Sequence, residues 1–201
     1  MRAFVLKLAA LVAVIVVGFA ATAQAAVIDG DNGNNVLNGG ANDDTITGFG
    51  GDDLIFGNDG EDTIVAGSND FNQGGVSDDD TAYGGRHNDD LYGGLESDWL
   101  YGNDGCDDLY GERGTDHLSG GLDSDYLNGG VRSDVLNGNA GDDNLYPETG
   151  ADTSRGGNGN DNFYVTADGR PDRFVGGDGN DTLYVTSVDP SDTWVGIENV
   201  V

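Results

Sequence analysis

A nine-residue repeat constrains the possible fold of this chain more than any other feature of its sequence. Counted from Gly30 in steps of nine, fifteen consecutive units cover residues 30–164 without an insertion. The first position is Gly in thirteen units, the sixth is Asp in thirteen, and the eighth is apolar in thirteen. A period kept over this length predicts a solenoid built from stacked, nearly identical turns.

Each unit divides into a turn and a short strand. The first six residues are mainly Gly, Asn, Asp and Ser, which favour tight turns with positive φ. The last three place one apolar residue between two outward positions, as in Tyr126-Leu127-Asn128. Two units then make one coil of 18 residues. The pattern predicts an all-β chain of two short parallel sheets, with no helix after the N-terminal segment.

The repeat also has a recognisable chemical signature. The segments "GGNGNDNFY" at 156–164 and "GGDGNDTLY" at 176–184 follow the pattern G-G-x-G-x-D-x-U-x. Over residues 30–184 the chain resembles the RTX (repeats-in-toxin), hemolysin-type calcium-binding nonapeptide family. The resemblance implies a right-handed parallel β-roll with Ca²⁺ held between stacked turns. It further implies that the sixth-position Asp supplies carboxylate oxygens and that loop carbonyls supply the rest.

The sixth-position aspartates are therefore the predicted metal ligands. They are Asp44, Asp53, Asp62, Asp80, Asp89, Asp98, Asp107, Asp116, Asp125, Asp134, Asp143, Asp152, Asp161 and Asp181. Asp181 belongs to a later repeat with a different phase. Stacked carboxylates repel each other unless a cation lies between them, so each ion is expected to be shared by neighbouring coils.

A uniform 18-residue coil assigns most of these aspartates to two columns. One column would contain Asp44, Asp62, Asp80, Asp98, Asp116, Asp134 and Asp152, and the other Asp89, Asp107, Asp125, Asp143 and Asp161. Asp53 would be separated from the second column by Phe71. Ions shared along these columns would number about ten.

The acidic composition favours cation binding and excludes nucleic acid as a partner. The chain has 37 acidic and 8 basic residues, for a formal charge of −29, so it lacks the Lys and Arg that phosphate binding requires. Each coil offers a core only one residue wide per strand. We therefore expect folding to depend on Ca²⁺ binding.

The first residues predict export from the cell. Arg2 and Lys7 precede an apolar stretch at 8–21 and a small-residue cleavage site, Ala23-Gln24-Ala25. The predicted organisation is a signal peptide at 1–26, the calcium-binding roll at 27–164, and a last repeat with a C-terminal cap at 165–201. Removal of Arg2 and Lys7, with no acidic residue lost, changes the formal charge from −29 to −31. The mature protein is expected to be secreted, with the periplasm or cell surface as alternatives, and to have no membrane span.

Three irregularities interrupt the repeat. The units 66–74 and 147–155 keep the nine-residue count but lose repeat residues, and both are expected to loop out locally. In the unit 66–74, Phe71 replaces the ligating Asp and Gln73 replaces the inward apolar residue, which predicts weak calcium positions and local looping out. After Tyr164 the spacing changes, because Phe163 and Leu183 are twenty residues apart.

Several functions remain open at this level. We expect a monomeric structural or surface-interaction module without catalytic activity, since no nucleophile and base can be paired. An adhesive or glycan-binding module is the alternative. It would use an outward ninth-position column containing Asn38, Phe56, Gly74, Tyr92, Tyr110, Asn128, Tyr146 and Tyr164.

Two further alternatives are less favoured. One is the remnant of an RTX enzyme. The other is an ice-binding protein with an outward column of Thr45, Thr63 and Thr81, which Trp99 and His117 end. His87 and His117 are expected to be solvent-exposed, and Cys106 is expected in a turn as a free thiol or an intermolecular disulfide.

Overall fold

A computed structural model describes residues 25–67, 78–185 and 189–201. Within these ranges the chain is all-β and contains no helix, and nineteen strands form two parallel sheets. None of the described residues forms a helix long and apolar enough to cross a membrane. The predicted signal peptide lies almost entirely outside the described residues.

Odd-numbered strands form sheet A and even-numbered strands form sheet B, so the chain alternates between the sheets. Sheet A contains β1 (Val27–Asp29), β3 (Thr45–Phe49), β5 (Thr63–Gly67), β7 (Asp90–Leu95), β9 (Asp108–Arg113), β11 (Tyr126–Asn128), β13 (Asn144–Tyr146), β15 (Asn162–Val165), β17 (Thr182–Val185) and β19 (Asn199–Val200). Sheet B contains β2 (Val36–Gly40), β4 (Leu54–Asp59), β6 (Thr81–Arg86), β8 (Trp99–Asp104), β10 (His117–Leu122), β12 (Val135–Ala140), β14 (Thr153–Asn158), β16 (Arg173–Asp178) and β18 (Thr193–Val195). The predicted parallel β-solenoid is confirmed.

The eighth residue of each unit points between the two sheets. In sheet A, Leu109, Leu127 and Leu145 are direct neighbours on successive strands, 18 residues apart, and all are fully buried. In sheet B, Leu136, Ser154 and Phe174 form the corresponding file, and the hydroxyl of Ser154 is buried there without a hydrogen-bond partner. The core is thus a stack of single side chains, as the sequence predicts.

One coil departs from the uniform spacing. Strand β5 pairs with β7 so that Thr63 lies beside Asp90, and β4 pairs with β6 so that Leu54 lies beside Thr81. Both steps are 27 residues rather than 18. The extra unit agrees with the looping out expected near 66–74, although Phe71 and Gln73 themselves lie outside the described residues. The looping out expected for 147–155 is wrong, because Asp152 follows Asp134 at the ordinary 18-residue step. The uniform columns predicted from the sequence are wrong, because one extra unit moves every later unit to the opposite sheet.

The outward columns change for the same reason. Thr45 and Thr63 are neighbours in sheet A, but Thr81 lies in sheet B beside Trp99. The predicted threonine column therefore ends after two residues on sheet A, where Asp90 follows Thr63.

The aromatic residues form one ladder on each sheet instead of one shared column. Within the described residues, the sheet A ladder is Tyr92, Tyr110, Tyr126, Tyr146, Tyr164 and Tyr184, with ring centroids 4.2–5.6 Å apart. In sheet B, Phe56, Tyr83 and Tyr101 stack at 4.8–5.3 Å. The predicted single column is wrong for Asn38 and Phe56, which lie in sheet B. Asn128 lies between Tyr110 and Tyr146 as predicted, and the ring of Tyr126 on the same strand bridges these two tyrosines.

The C-terminal residues continue both sheets. Phe163 pairs with Leu183, which confirms the twenty-residue step, and β18 and β19 add one more strand to each sheet. Trp194 follows Phe174 in the inward file and Val200 follows Leu183, yet these two side chains are 41% and 49% exposed. The separate C-terminal cap stays a prediction.

The turns explain the glycine pattern. Asn103 and Gly105, the second and fourth residues of one unit, both have positive φ, at 81° and 149°. Glu96 and Arg132 occupy the fourth position of their units and adopt φ of 69° and 91°. These two positions favour Gly because an L-residue is strained there.

Candidate metal centre

The sixth-position aspartates form a hydrogen-bonded ladder along each edge of the roll. The backbone N–H of Asp98, for example, donates to Oδ1 of Asp116 in the next coil at 2.8 Å. The other rungs between successive aspartates measure 2.7–3.0 Å. One carboxylate oxygen of each Asp therefore sets the spacing between coils.

The ladder divides the aspartates into two columns that differ from those expected. The first contains Asp44, Asp62, Asp89, Asp107, Asp125, Asp143, Asp161 and Asp181. The second contains Asp53, Asp80, Asp98, Asp116, Asp134 and Asp152, and continues to Asp172. Asp53 belongs to the second column, because its backbone N–H donates to Asp80 across a 27-residue step. Asp181 belongs to the first column, because it accepts the N–H of Asp161 across a 20-residue step.

The second carboxylate oxygen is the distinctive feature of these residues. In all fourteen aspartates predicted as ligands, Oδ2 is buried and accepts no hydrogen bond. A buried charged oxygen without a hydrogen-bond partner lowers the stability of the folded chain by on the order of several kcal/mol. A row of such oxygens is suited to a bound cation.

A first-position glycine borders twelve of these oxygens, all but those of Asp80 and Asp152, and a backbone carbonyl of the next coil lies close by in most of these turns. A Cβ placed on Gly57 would lie 2.3 Å from Oδ2 of Asp62 and 2.5 Å from the carbonyl oxygen of Gly84 in the next coil. The corresponding distances at Gly111 are both 2.6 Å, to Asp116 Oδ2 and to the carbonyl oxygen of Gly129. Glycine is required at these positions because any side chain would fill the space between the two oxygens.

Burial strongly disfavours the charged form of these carboxylates when no cation is present. Desolvation raises the pKa of Asp80 to about 9 and that of Asp98 and Asp125 to about 8, with neighbouring carboxylates adding to the shift. Backbone N–H donors lower the pKa in each case, but by less than burial raises it. A bound divalent cation would supply the missing positive charge.

Carboxylates alone do not complete a metal site. Among the described residues, no group of three or more His, Cys, Asp and Glu side chains could hold a metal ion. Ca²⁺ takes six to eight oxygen ligands, so carbonyl oxygens of the glycine-rich turns must provide the remainder. The all-oxygen donor set suits a hard cation such as Ca²⁺ and lacks the thiolate and imidazole ligands that Zn²⁺ and Cu²⁺ prefer.

The two histidines and the cysteine are not members of these columns. His87 is exposed as expected, whereas His117 stacks on Trp99 at 4.0 Å and is half-buried. Cys106 is exposed in a turn, and its thiol is free.

Sequence reasoning missed three acidic residues that extend the columns. Asp172 is buried and Oδ1 accepts the N–H of Asp152, while Asp192 accepts that of Asp172. Glu198 Oε2 accepts the N–H of Asp181 at 2.9 Å. The twenty-residue spacing of the last repeat, applied to Asp152, would have identified Asp172.

A second ladder was also missed. Fifth-position side chains accept hydrogen bonds from the backbone of the following coil, as Asn88 does from Cys106 N–H at 3.0 Å and Asp142 from Asn160 N–H at 2.7 Å. Its direction is opposite to that of the sixth-position ladder. The prevalence of Asn, Asp and Ser at the fifth position was the available signal.

Together, the parallel roll and its columns of buried, half-satisfied aspartates define a calcium-binding β-roll protein. A family model of the RTX calcium-binding nonapeptide repeat matches most of the chain, and the chain belongs to that family. The matches cover residues 29–70, 75–100, 83–118, 92–127, 119–154, 128–163, 146–168 and 166–185. A search of curated proteins found no match.

Proposed function

We propose that this protein is a secreted, non-catalytic calcium-binding repeat protein that folds when Ca²⁺ binds between its stacked turns. The observation that carries the proposal is the set of fourteen buried Oδ2 atoms without hydrogen-bond partners. The ions would be held by these oxygens and by carbonyl oxygens of the turns. Bound Ca²⁺ would supply positive charge that offsets the repulsion within each column.

The number of neighbouring aspartate pairs in the columns is close to the expected number of ions. Twelve pairs of successive ligand aspartates are joined by the ladder, seven in the first column and five in the second. We propose about ten bound Ca²⁺, on the basis that each ion is shared by neighbouring coils.

Two adjacent residues provide a direct test. Asp107 is fully buried with an unpartnered Oδ2, whereas Asp108 points outward and is exposed. In a Ca²⁺ titration followed by circular dichroism, D107N should raise the Ca²⁺ midpoint while D108N leaves it unchanged. Mg²⁺ should substitute poorly because it requires a small octahedral site and keeps its water ligands. Full β-structure of the wild-type protein in chelator at pH 9 and low ionic strength would contradict the proposal.

Secretion rests on two supports. The N-terminal sequence has the layout of a signal peptide, and RTX repeat proteins are typically secreted. The proposal predicts that a mature chain beginning at Val27 is recovered outside the cytoplasm of an expressing bacterial host, as N-terminal sequencing of each fraction would show.

A structural or surface-interaction role fits the aromatic ladders better than glycan binding does. Tyr146 and Tyr164 are parallel, with an interplanar angle of 0° and centroids 4.2 Å apart. Tyr92 and Tyr110 are also stacked, at 4.9 Å. Sugars pack on open ring faces, but here the faces of neighbouring rings cover each other. The ladder therefore supports stiffening of the sheet as its main role.

A further inference from the structure

The turn of the 27-residue coil that begins at the end of β5 differs from the repeat turns. Its first-position residue is Ala66 rather than Gly, and the carboxylate lies over the next residue, Gly67. A Cβ placed on Gly67 would lie 2.9 Å from the carbonyl oxygen of Gly93, 3.0 Å from Oδ2 of Asp80 and 3.1 Å from Oδ2 of Asp78. Two carboxylates therefore converge here, whereas the space over Gly57 contains one.

The two carboxylates are held in place by different contacts. Asp80 is completely buried, and its Oδ2 has no hydrogen-bond partner. Asp78 is half-buried and its Oδ1 accepts the backbone N–H of Gly51 at 2.9 Å, which fixes the carboxylate. The buried, unpartnered oxygen of Asp80 thus faces a space that a second carboxylate and a carbonyl also border.

We propose that Asp78 is an additional carboxylate ligand in the Ca²⁺ site formed by Asp80 and the carbonyl oxygen of Gly93. Asp78 occupies the fourth position of its unit, outside the sixth-position pattern. The site brings together Gly67 and Asp78. This inference rests on the proposed calcium binding and adds a ligand that the repeat does not supply.

This site should fill before the other Ca²⁺ sites of the roll. Ca²⁺ affinity in proteins rises with the number of charged ligands, and this site has two carboxylates over one glycine. Binding here would fix the 27-residue register, so that strands on both sides of the long coil are aligned before the remaining ions bind.

Isothermal titration calorimetry of the full mature chain with CaCl₂ tests the site, with D78N compared against D79N. Asp79 is the exposed neighbour of Asp80, and its Oδ1 accepts a backbone N–H from Ser97, which an asparagine can also accept. We expect D78N to weaken the tightest binding step by about tenfold, given the dependence of affinity on ligand charge, and D79N to leave it unchanged. A D78N titration that matches the wild type, or an equal loss in D79N, would overturn the assignment.

A second variant covers the case in which D78N alters folding. G67A keeps all carboxylates but places a methyl group among the three oxygens, and should weaken the same step. If the wild type binds no Ca²⁺, the proposed function fails. If the wild type binds Ca²⁺ but neither D78N nor G67A changes the tightest step, only the assignment of Asp78 fails.

Discussion

The backbone N–H of Asp62 donates a 2.7 Å hydrogen bond to Oδ1 of Asp89, which lies 27 residues further along the chain. Neighbouring rungs of the same column span 18 residues, as between Asp89 and Asp107. This single long step determines which residues share an edge over the rest of the roll.

Paired cysteines can test this register. Thr63 and Asp90 are neighbours in sheet A, while Thr81 lies in sheet B. Adjacent strands are about 4.8 Å apart, within the range of Cα separations that a disulfide can bridge. In a C106S background with Ca²⁺ present, T63C/D90C should therefore form a disulfide and T63C/T81C should not. Non-reducing electrophoresis and mass spectrometry would report the pairing, and cross-linking of the second pair alone would support uniform 18-residue coils.

Stability without calcium should depend on pH. The pKa values of Asp80, Asp98 and Asp134 in the folded roll are raised to about 9, 8 and 8 by burial, well above the ordinary value of 3.8. Protonation therefore favours the folded chain, and this contribution is complete below pH 3.8 and lost as the pH rises through about 8–9. In chelator, circular dichroism should show more β-structure at pH 5 than at pH 9. The opposite trend would mean that the buried carboxylates remain charged.

Replacing the buried serine should stabilise the roll. Ser154 lies in the inward file between Leu136 and Phe174, and its hydroxyl has no hydrogen-bond partner. S154A removes this unsatisfied group and should raise the free energy of unfolding in saturating Ca²⁺ by about 1 kcal/mol. S97A, at a half-buried turn position, is the matched control and should have little effect. A loss of stability in S154A would show that the hydroxyl is satisfied.

Glycine should be favoured at the strained fourth position. Glu96 is exposed and has φ of 69°, a conformation that costs an L-residue about 1–2 kcal/mol. E96G should increase the free energy of unfolding by about 1 kcal/mol, less the entropy that glycine adds to the unfolded chain. T115G, at an exposed turn residue without positive φ, should instead destabilise. Denaturant melts at saturating Ca²⁺ would measure both changes.

The tyrosine ladder should contribute to stability more than to binding. Tyr110 stacks on Tyr92 at 4.9 Å and contacts Tyr126 at 5.6 Å. Y110S removes both contacts and should lower the free energy of unfolding by about 1–3 kcal/mol, while N128S on the same sheet face changes it little. The double variant Y92S/Y110S should keep any binding to cell-surface polysaccharides. Loss of binding at unchanged stability would establish the glycan role instead.

Most of the metal centre could be predicted because its chemistry is local to each unit. Gly57 and Asp62 belong to the same nine residues, so their roles follow from turn geometry and from the oxygen preference of Ca²⁺. All fourteen predicted ligands are buried with an unpartnered oxygen. Asp78 could not be predicted, because its relation to Gly67 and Gly93 depends on how the long coil closes.

The sequence by itself determined the repeat, the parallel roll, the inward file and which aspartates are buried along the edges of the roll. These properties depend on contacts within one unit and on a period that alternates turn and strand. The tertiary structure decided which units are neighbours. Strand pairing depends on position in space, so it does not have to follow a fixed number of residues along the chain. That choice placed Asp53 beside Asp80, moved Thr81 and Phe56 away from the sheet A columns, and brought Asp78 to Asp80 over Gly67.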